Sequence, residues 1–212
     1  MDYFNYFSND WFGYFEIKIK VNSLSIFLNK KILIYGLGKT GLSALEFLKN
    51  KAEIFLYDDH LSKFKNLGIK NTISLKNLLK LNFDQIILSP GIDLNKCKLS
   101  KFLKKNRSKI YSDLDVFYSF YKNDCITITG TNGKSTTCQL MYEVLLNQKH
   151  DVRLVGNIGN PILSVKNFKK KTIFIVEASS YQLEYSKLFK SKYAILLNLS
   201  PDHIERHQTL NK

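Results

Sequence analysis

Cys125-Ile-Thr-Ile-Thr129-Gly130-Thr131-Asn132-Gly133-Lys134-Ser135-Thr136 reads as a buried strand that runs directly into a turn built to hold an anion. The β-branched run Ile126 to Thr129 supplies the strand. Gly130 and Gly133 let the backbone turn tightly, so that successive N–H groups face one point. Lys134 adds a full positive charge, and Ser135 places a hydroxyl where a phosphate-bound Mg²⁺ would sit. A helix is predicted from about Ser135 through Leu140, Val144 and Leu145, with its positive dipole end on the same anion. The stretch therefore predicts a nucleoside triphosphate site contacted by Gly130, Thr131, Asn132, Gly133, Lys134, Ser135 and Thr136.

The surrounding chain alternates strands with helices, a grammar that gives parallel sheets with right-handed crossovers. Upstream, Ile32-Leu-Ile-Tyr35, Ile54-Phe-Leu-Tyr57, Gln85-Ile-Ile-Leu88 and Ile110-Tyr111 read as strands, with helical patterns between them. Downstream the grammar restarts with Val152-Arg-Leu-Val155, Thr172-Ile-Phe-Ile-Val176 and Tyr193-Ala-Ile-Leu-Leu-Asn-Leu199. The predicted class is α/β: a Rossmann-like domain over 31–121, then a P-loop-type parallel α/β domain over 122–212. Residues 1–30 read as an extension crowded with aromatics, including Tyr3, Phe4, Trp11 and Phe15. Within it Glu16-Ile-Lys-Ile-Lys-Val21 alternates like a strand, paired with Ser25-Ile-Phe-Leu28 as a hairpin.

In open parallel sheets ligands collect beyond the carboxyl ends of the strands, and the polar residues fall there. Lys134 and Ser135 follow one strand, Glu177 ends another, and Asp202 with His203 follow a third. That set suits Mg·ATP, with Lys134 on the phosphates and Ser135 and Glu177 on the metal. Gly36-x-Gly38-x-x-Gly41 also satisfies the dinucleotide fingerprint, with Asp58 some twenty residues on. Alone it would point to an NAD-dependent enzyme. Backbone N–H groups and a helix dipole hold any diphosphate, however, and an ATP loop in the second half sits awkwardly in a dehydrogenase.

Composition narrows the partners. The net charge of +14 comes mainly from lysines scattered among Asn, Ile, Phe and Tyr, and no basic–aromatic nucleic-acid module is present. No nucleic-acid partner is expected. Cys97, Cys125 and Cys138 lack Cys-x-x-Cys spacing, which predicts neither a disulfide framework nor a zinc site and fits a reducing cytoplasm; Cys125 on a strand and Cys138 on a helix read as small buried thiols. No apolar run is long enough to cross a bilayer, and the start of the chain does not read as a secretory leader.

Six segments in order carry a resemblance. They are Gly36-Leu-Gly-Lys-Thr-Gly-Leu-Ser43, Ser89-Pro-Gly-Ile-Asp93, Thr129-Gly-Thr-Asn-Gly-Lys-Ser-Thr136, Gly156-Asn-Ile-Gly159, Glu177-Ala-Ser-Ser-Tyr-Gln-Leu-Glu184 and Asn198-Leu-Ser-Pro-Asp-His203. Together they resemble the Mur ligases of peptidoglycan synthesis, over residue 31 to the end. The loop is that family's shortened phosphate loop. The glycine turn and Ser-Pro-Gly are similar to the branch that joins D-glutamate to UDP-N-acetylmuramoyl-L-alanine. The resemblance implies that ATP phosphorylates the substrate carboxylate and that the amine of D-glutamate attacks the acyl phosphate. It implies catalytic roles for Lys134, Glu177 and His203. It implies Mg²⁺ ligation by Ser135 and Glu177 at one site and by His203 at a second.

By the same resemblance Gly38, Lys39, Thr40, Asp58 and Asp59 correspond to a uridine-diphosphate pocket, and Ser89, Gly91, Asn157 and Ser179 to further substrate contacts. Asp59-His60 departs from the family's Thr-Arg. The family has three domains, and the third would fall beyond Lys212, which implies binding without turnover by residues 1–212. A monomer is expected. The reading from another class is a non-catalytic module that binds nucleotide or UDP-sugar.

Overall fold

A computed structural model describes residues 25–60 and 71–200. The first parallel sheet contains β1 (Lys31–Tyr35), β2 (Glu53–Tyr57), β3 (Gln85–Leu88) and β4 (Ile110–Tyr111), in the order β2-β1-β3-β4. Helix α1 (Lys39–Leu48) links β1 to β2, the short α2 (Leu75–Leu78) precedes β3, and α3 (Ser100–Lys105) precedes β4. The second parallel sheet contains β5 (Cys125–Thr129), β6 (Val152–Gly156), β7 (Ile173–Glu177) and β8 (Tyr193–Leu196), in the order β6-β7-β5-β8. Helix α4 (Asp113–Phe120) joins the sheets, α5 (Lys134–Asn147) follows β5, and α6 (Ser180–Tyr185) follows β7.

Both sheets reverse strand order beside their first strand. Each then has a crevice at its carboxyl edge, between β1 and β3 and between β5 and β7. The apolar strands β1, β3 and β7 are buried on both faces, as parallel sheets require, whereas β8 is largely exposed. Ser25–Leu28 forms a turn where the sequence predicts a strand, closed by Leu28 N–H on the Ser25 carbonyl. Phe27 is what makes the turn worthwhile: it is buried and meets Tyr111 edge-on at 5.4 Å. The proposed partner strand 16–21 lies outside the described residues.

The halves share a core. Phe117 on α4 meets Phe174 of β7 edge-on at 4.9 Å, and Tyr121 meets Phe168 edge-on at 4.8 Å. Tyr185, the last residue of α6, is buried within the apolar cluster of the first sheet and donates to the Ile92 carbonyl at 2.9 Å. The polar seam beside it belongs to α4. Ser112 and Asp115 close a reciprocal capping box at the start of that helix. Asp115 is 0 % exposed, and its second oxygen accepts from the backbone N–H groups of Lys187 at 2.9 Å, Leu188 at 2.7 Å and Phe189 at 3.0 Å. One carboxylate thus holds the exit of α6 from across the two halves.

Asp113 is buried in the same seam, opposite Gln182 Nε2 at 3.3 Å. Burial pushes its carboxyl up to about 6, with the Gln182 hydrogen bond and the first-turn amides of α4 pulling the other way. The unfolded chain releases this proton near pH 4 and the folded chain only near 6, so folding loses stability as pH rises across that window. The loss is on the order of 3 kcal/mol. Asp113→Asn is expected to flatten the stability profile between pH 4 and 6 and to raise stability at pH 7.5, read by urea unfolding. A parent-like slope in the variant would assign the pH dependence to another group.

Uncovered apolar surface is concentrated in the second half. Leu140 on α5 is 61 % exposed and Leu196 on β8 is 63 % exposed, and β8 pairs with β5 alone among the described strands. Leu140 and Val144 extend the predicted helix but face outward, and Cys138 is the residue α5 buries. Cys125 and Cys138 are buried, as their places on a strand and a helix imply, and Cys97 is half-buried.

Candidate functional site

The second crevice takes its shape from the turn after β5. Gly133 adopts φ +83°, a left-handed conformation that lets the chain enter α5 abruptly. No side chain caps α5 and its first turn holds no acid, so its N–H groups and dipole face outward uncompensated. Ser135 and Thr136 are exposed on that first turn. Lys134 Nζ folds over the loop and donates to the carbonyls of Gly130 at 2.7 Å and Thr131 at 2.8 Å. The ammonium therefore sits over the turn whose N–H groups would grip phosphate.

The loop is braced from β8. Asn198 accepts from Asn132 N–H at 2.9 Å and donates its amide to the Asn132 carbonyl at 2.9 Å. The Thr131 hydroxyl donates to the Ser200 carbonyl at 3.1 Å and accepts from Ser200 N–H at 3.0 Å. The Asn198-Leu-Ser segment is thus brought against Gly130–Asn132. Asp202 and His203, which follow it, lie outside the described residues.

Glu177 ends β7 in register with Ile128 of β5 and Gly156 of β6, at the carboxyl edge of the sheet. Its side chain is 1 % exposed; Oε1 accepts from Asn157 Nδ2 at 2.9 Å, while Oε2 is buried without a hydrogen-bond partner. Burial pushes the Cys138 thiol up to about 12, Glu177 adds to the rise, and Lys134 opposes it. Both charges are therefore felt at one point beneath the loop. A buried carboxylate oxygen with nothing to accept from is costly, and a divalent cation is the partner that fits it. Among the described residues no cluster of three or more His, Cys, Asp and Glu forms a metal site by itself. A cation here would need ligands beyond the Glu177 carboxylate. Ser179 half-faces solvent and caps α6, accepting from Gln182 N–H at 3.2 Å.

The first crevice is lined differently. Gly38 caps α1 without a side-chain bond, and the first turn again carries no acid, with Gly38 and Lys39 exposed and Thr40 half-buried. A Cβ at Gly41 would overlap the Gly36 carbonyl, so only glycine allows that approach of helix to turn. Ser89 donates to the same carbonyl at 2.7 Å, and Gly91 lies exposed beyond it. Asp58, read from sequence as a ligand contact, accepts from Leu37 N–H and from His60 N–H, each at 2.8 Å. Asp59 accepts from the Tyr35 hydroxyl at 2.8 Å. Burial, then that bond to Asp59, raises the Tyr35 phenol, which keeps it a donor. Both acids brace turns, a use that spacing alone does not reveal.

Glycine turns that open helices at the strand ends of two successive parallel sheets are an arrangement common to nucleotide-binding α/β proteins. Residues 128–212 match the Mur ligase middle domain, and residues 30–110 match the Mur ligase MurD-like N-terminal domain. The chain belongs to the Mur ligase family. It is 39 % identical over 192 residues to the UDP-N-acetylmuramoylalanine–D-glutamate ligase of Rickettsia bellii, covering 88 % of this chain and 42 % of that protein. Identity to the ligase of the same name from Rickettsia felis is 41 % over 186 residues, covering 85 % and 41 %. The chain spans about two fifths of the length of these relatives.

Proposed function

We propose that this chain contributes the sugar-nucleotide and ATP sites of an ATP-dependent ligase that adds D-glutamate to UDP-N-acetylmuramoyl-L-alanine. Residues 31–121 take the uridine diphosphate through the α1 turn, Ser89 and Gly91. Residues 122–212 take ATP, with Gly130–Thr136 around the phosphates and Lys134 offsetting their charge. Ser135 and Glu177 hold Mg²⁺, with His203 at a second ion and Asn157 and Ser179 toward the sugar-peptide. Mg²⁺, when bound, offsets charge where phosphate and carboxylate meet. Asn157 fixes Glu177 through Oε1, and the unpartnered Oε2 is the oxygen that would be offered to the ion. The work of the protein is to hold the alanyl carboxylate near the γ-phosphate and keep both charges balanced, which is most of what phosphoryl transfer requires. The acyl phosphate then has a good leaving group for the D-glutamate amine.

The observation that carries this reading is the buried, unpartnered Glu177 Oε2 beside the phosphate loop. The chain is read as monomeric and cytoplasmic; among the described residues no helix is long and apolar enough to cross a membrane. Calorimetric titration of residues 1–212 with UDP-N-acetylmuramoyl-L-alanine and with Mg·ATP tests it. Binding of both is expected, the sugar nucleotide more tightly, with no amide formed by residues 1–212 alone. A fluorescence response to NADH together with silence toward the UDP-sugar would overturn it.

A further inference from the structure

We infer that Lys98 is a binding residue for the diphosphate of the UDP-sugar, an inference that rests on the sugar-nucleotide reading above. The first crevice has an uncapped helix end that favours an anion. Two carboxylates, Asp58 and Asp59, stand at the same mouth and oppose one. Their oxygens are committed to the protein: Asp58 to Leu37 and His60, Asp59 Oδ1 to Tyr35, and Asp59 Oδ2 to Lys98 N–H at 3.3 Å. Two acidic side chains thus face the place where a dianion must arrive, and a diphosphate seated there needs a cation beside it.

Lys98 supplies it. Its backbone N–H meets Asp59, and its exposed side chain turns back so that Nζ donates to the Asp59 carbonyl at 2.9 Å. The ammonium is thereby held at the end of β2, one residue from Asp58, which itself clamps the glycine turn at Leu37. An ammonium has three donors, and a carbonyl uses one. The remaining donors are available to phosphate oxygens. The chain around it reinforces the sign: from Leu94 to Ser112 no residue is acidic, while Lys101, Lys104, Lys105 and Arg107 are exposed. Such a field raises the local concentration of a dianion before it docks.

The test compares the parent with Lys98→Met and Lys98→Arg in calorimetric titrations with UDP and with uridine, alongside thermal midpoints. Lys98→Met is expected to weaken UDP about tenfold and leave uridine within about twofold, and Lys98→Arg to keep UDP within about threefold. Unchanged UDP affinity in Lys98→Met overturns the assignment. Equal losses of UDP and uridine with a lowered midpoint also overturn it, since they mark Lys98 as a strap holding the turn. A parent that binds neither ligand removes the sugar-nucleotide reading itself, a distinguishable failure.

Discussion

Mg·ATP binding is expected to weaken about 100-fold when Lys134 is replaced by alanine. The ammonium is the full charge carried by the loop, and charge-assisted bonds to phosphate are worth about 1.5–3 kcal/mol. The upper end applies here because the ammonium is placed between two loop carbonyls, at 2.7 and 2.8 Å, and is already oriented over the turn. About 3 kcal/mol corresponds to slightly more than a hundredfold in affinity. Titration at fixed ionic strength reads the effect, and the UDP-sugar affinity serves as an internal control because Lys134 belongs to the other crevice. Parent-like ATP affinity in the variant would move the triphosphate site away from this loop.

Asp115→Ala is expected to produce the largest loss of stability, about 4 kcal/mol. The substitution deletes a fully buried acceptor that faces Lys187, Leu188 and Phe189 N–H groups, the Ser186 hydroxyl at 3.3 Å, and Ser112 N–H at 3.0 Å. Each donor left unsatisfied costs about 1–3 kcal/mol, and water entering the vacated space recovers part of it. For a chain of this size the thermal midpoint should fall by roughly 8–16 °C. Asp115→Asn keeps an acceptor and is expected to recover about half. A drop of under about 3 °C for the alanine variant would show that the seam is held mainly by Tyr185 and the aromatic contacts.

Much of the fold was legible because its signals are local. Strands such as Ile32–Tyr35 and Cys125–Thr129 are short apolar runs closed by glycine turns, and those turns announce the helices that follow. The place of Glu177 at a strand end was legible from the apolar run before it, whereas its unpartnered oxygen was not. Ser25–Leu28 failed as a strand because its preference is set by the pocket that accepts Phe27, which is remote in sequence. Asp115 was passed over as one polar residue on a helix. Ser112-x-x-Asp115 before an apolar run carried the capping signal, but the partners at 187–189 lie more than seventy positions away. Asp58 was read as a ligand contact from the dinucleotide spacing, and Asp59 with it from the family resemblance; no spacing rule reports that the Leu37 and His60 amides and the Tyr35 hydroxyl donate to them. The brace from Asn198 to Asn132 was equally silent, since it depends on β8 lying beside β5.

Tyr185 has a consequence for biosynthesis. It fills the interior of a sheet whose own strands end at Tyr111, so that sheet cannot complete its packing until α6 has left the ribosome. Roughly 64 residues separate the end of α4 from that tyrosine, which at ~5–20 residues per second is a wait of about 3 to 13 s. Throughout that interval the nascent first half carries an open apolar socket, and slower translation lengthens the time in which a chaperone or an aggregating neighbour can reach it.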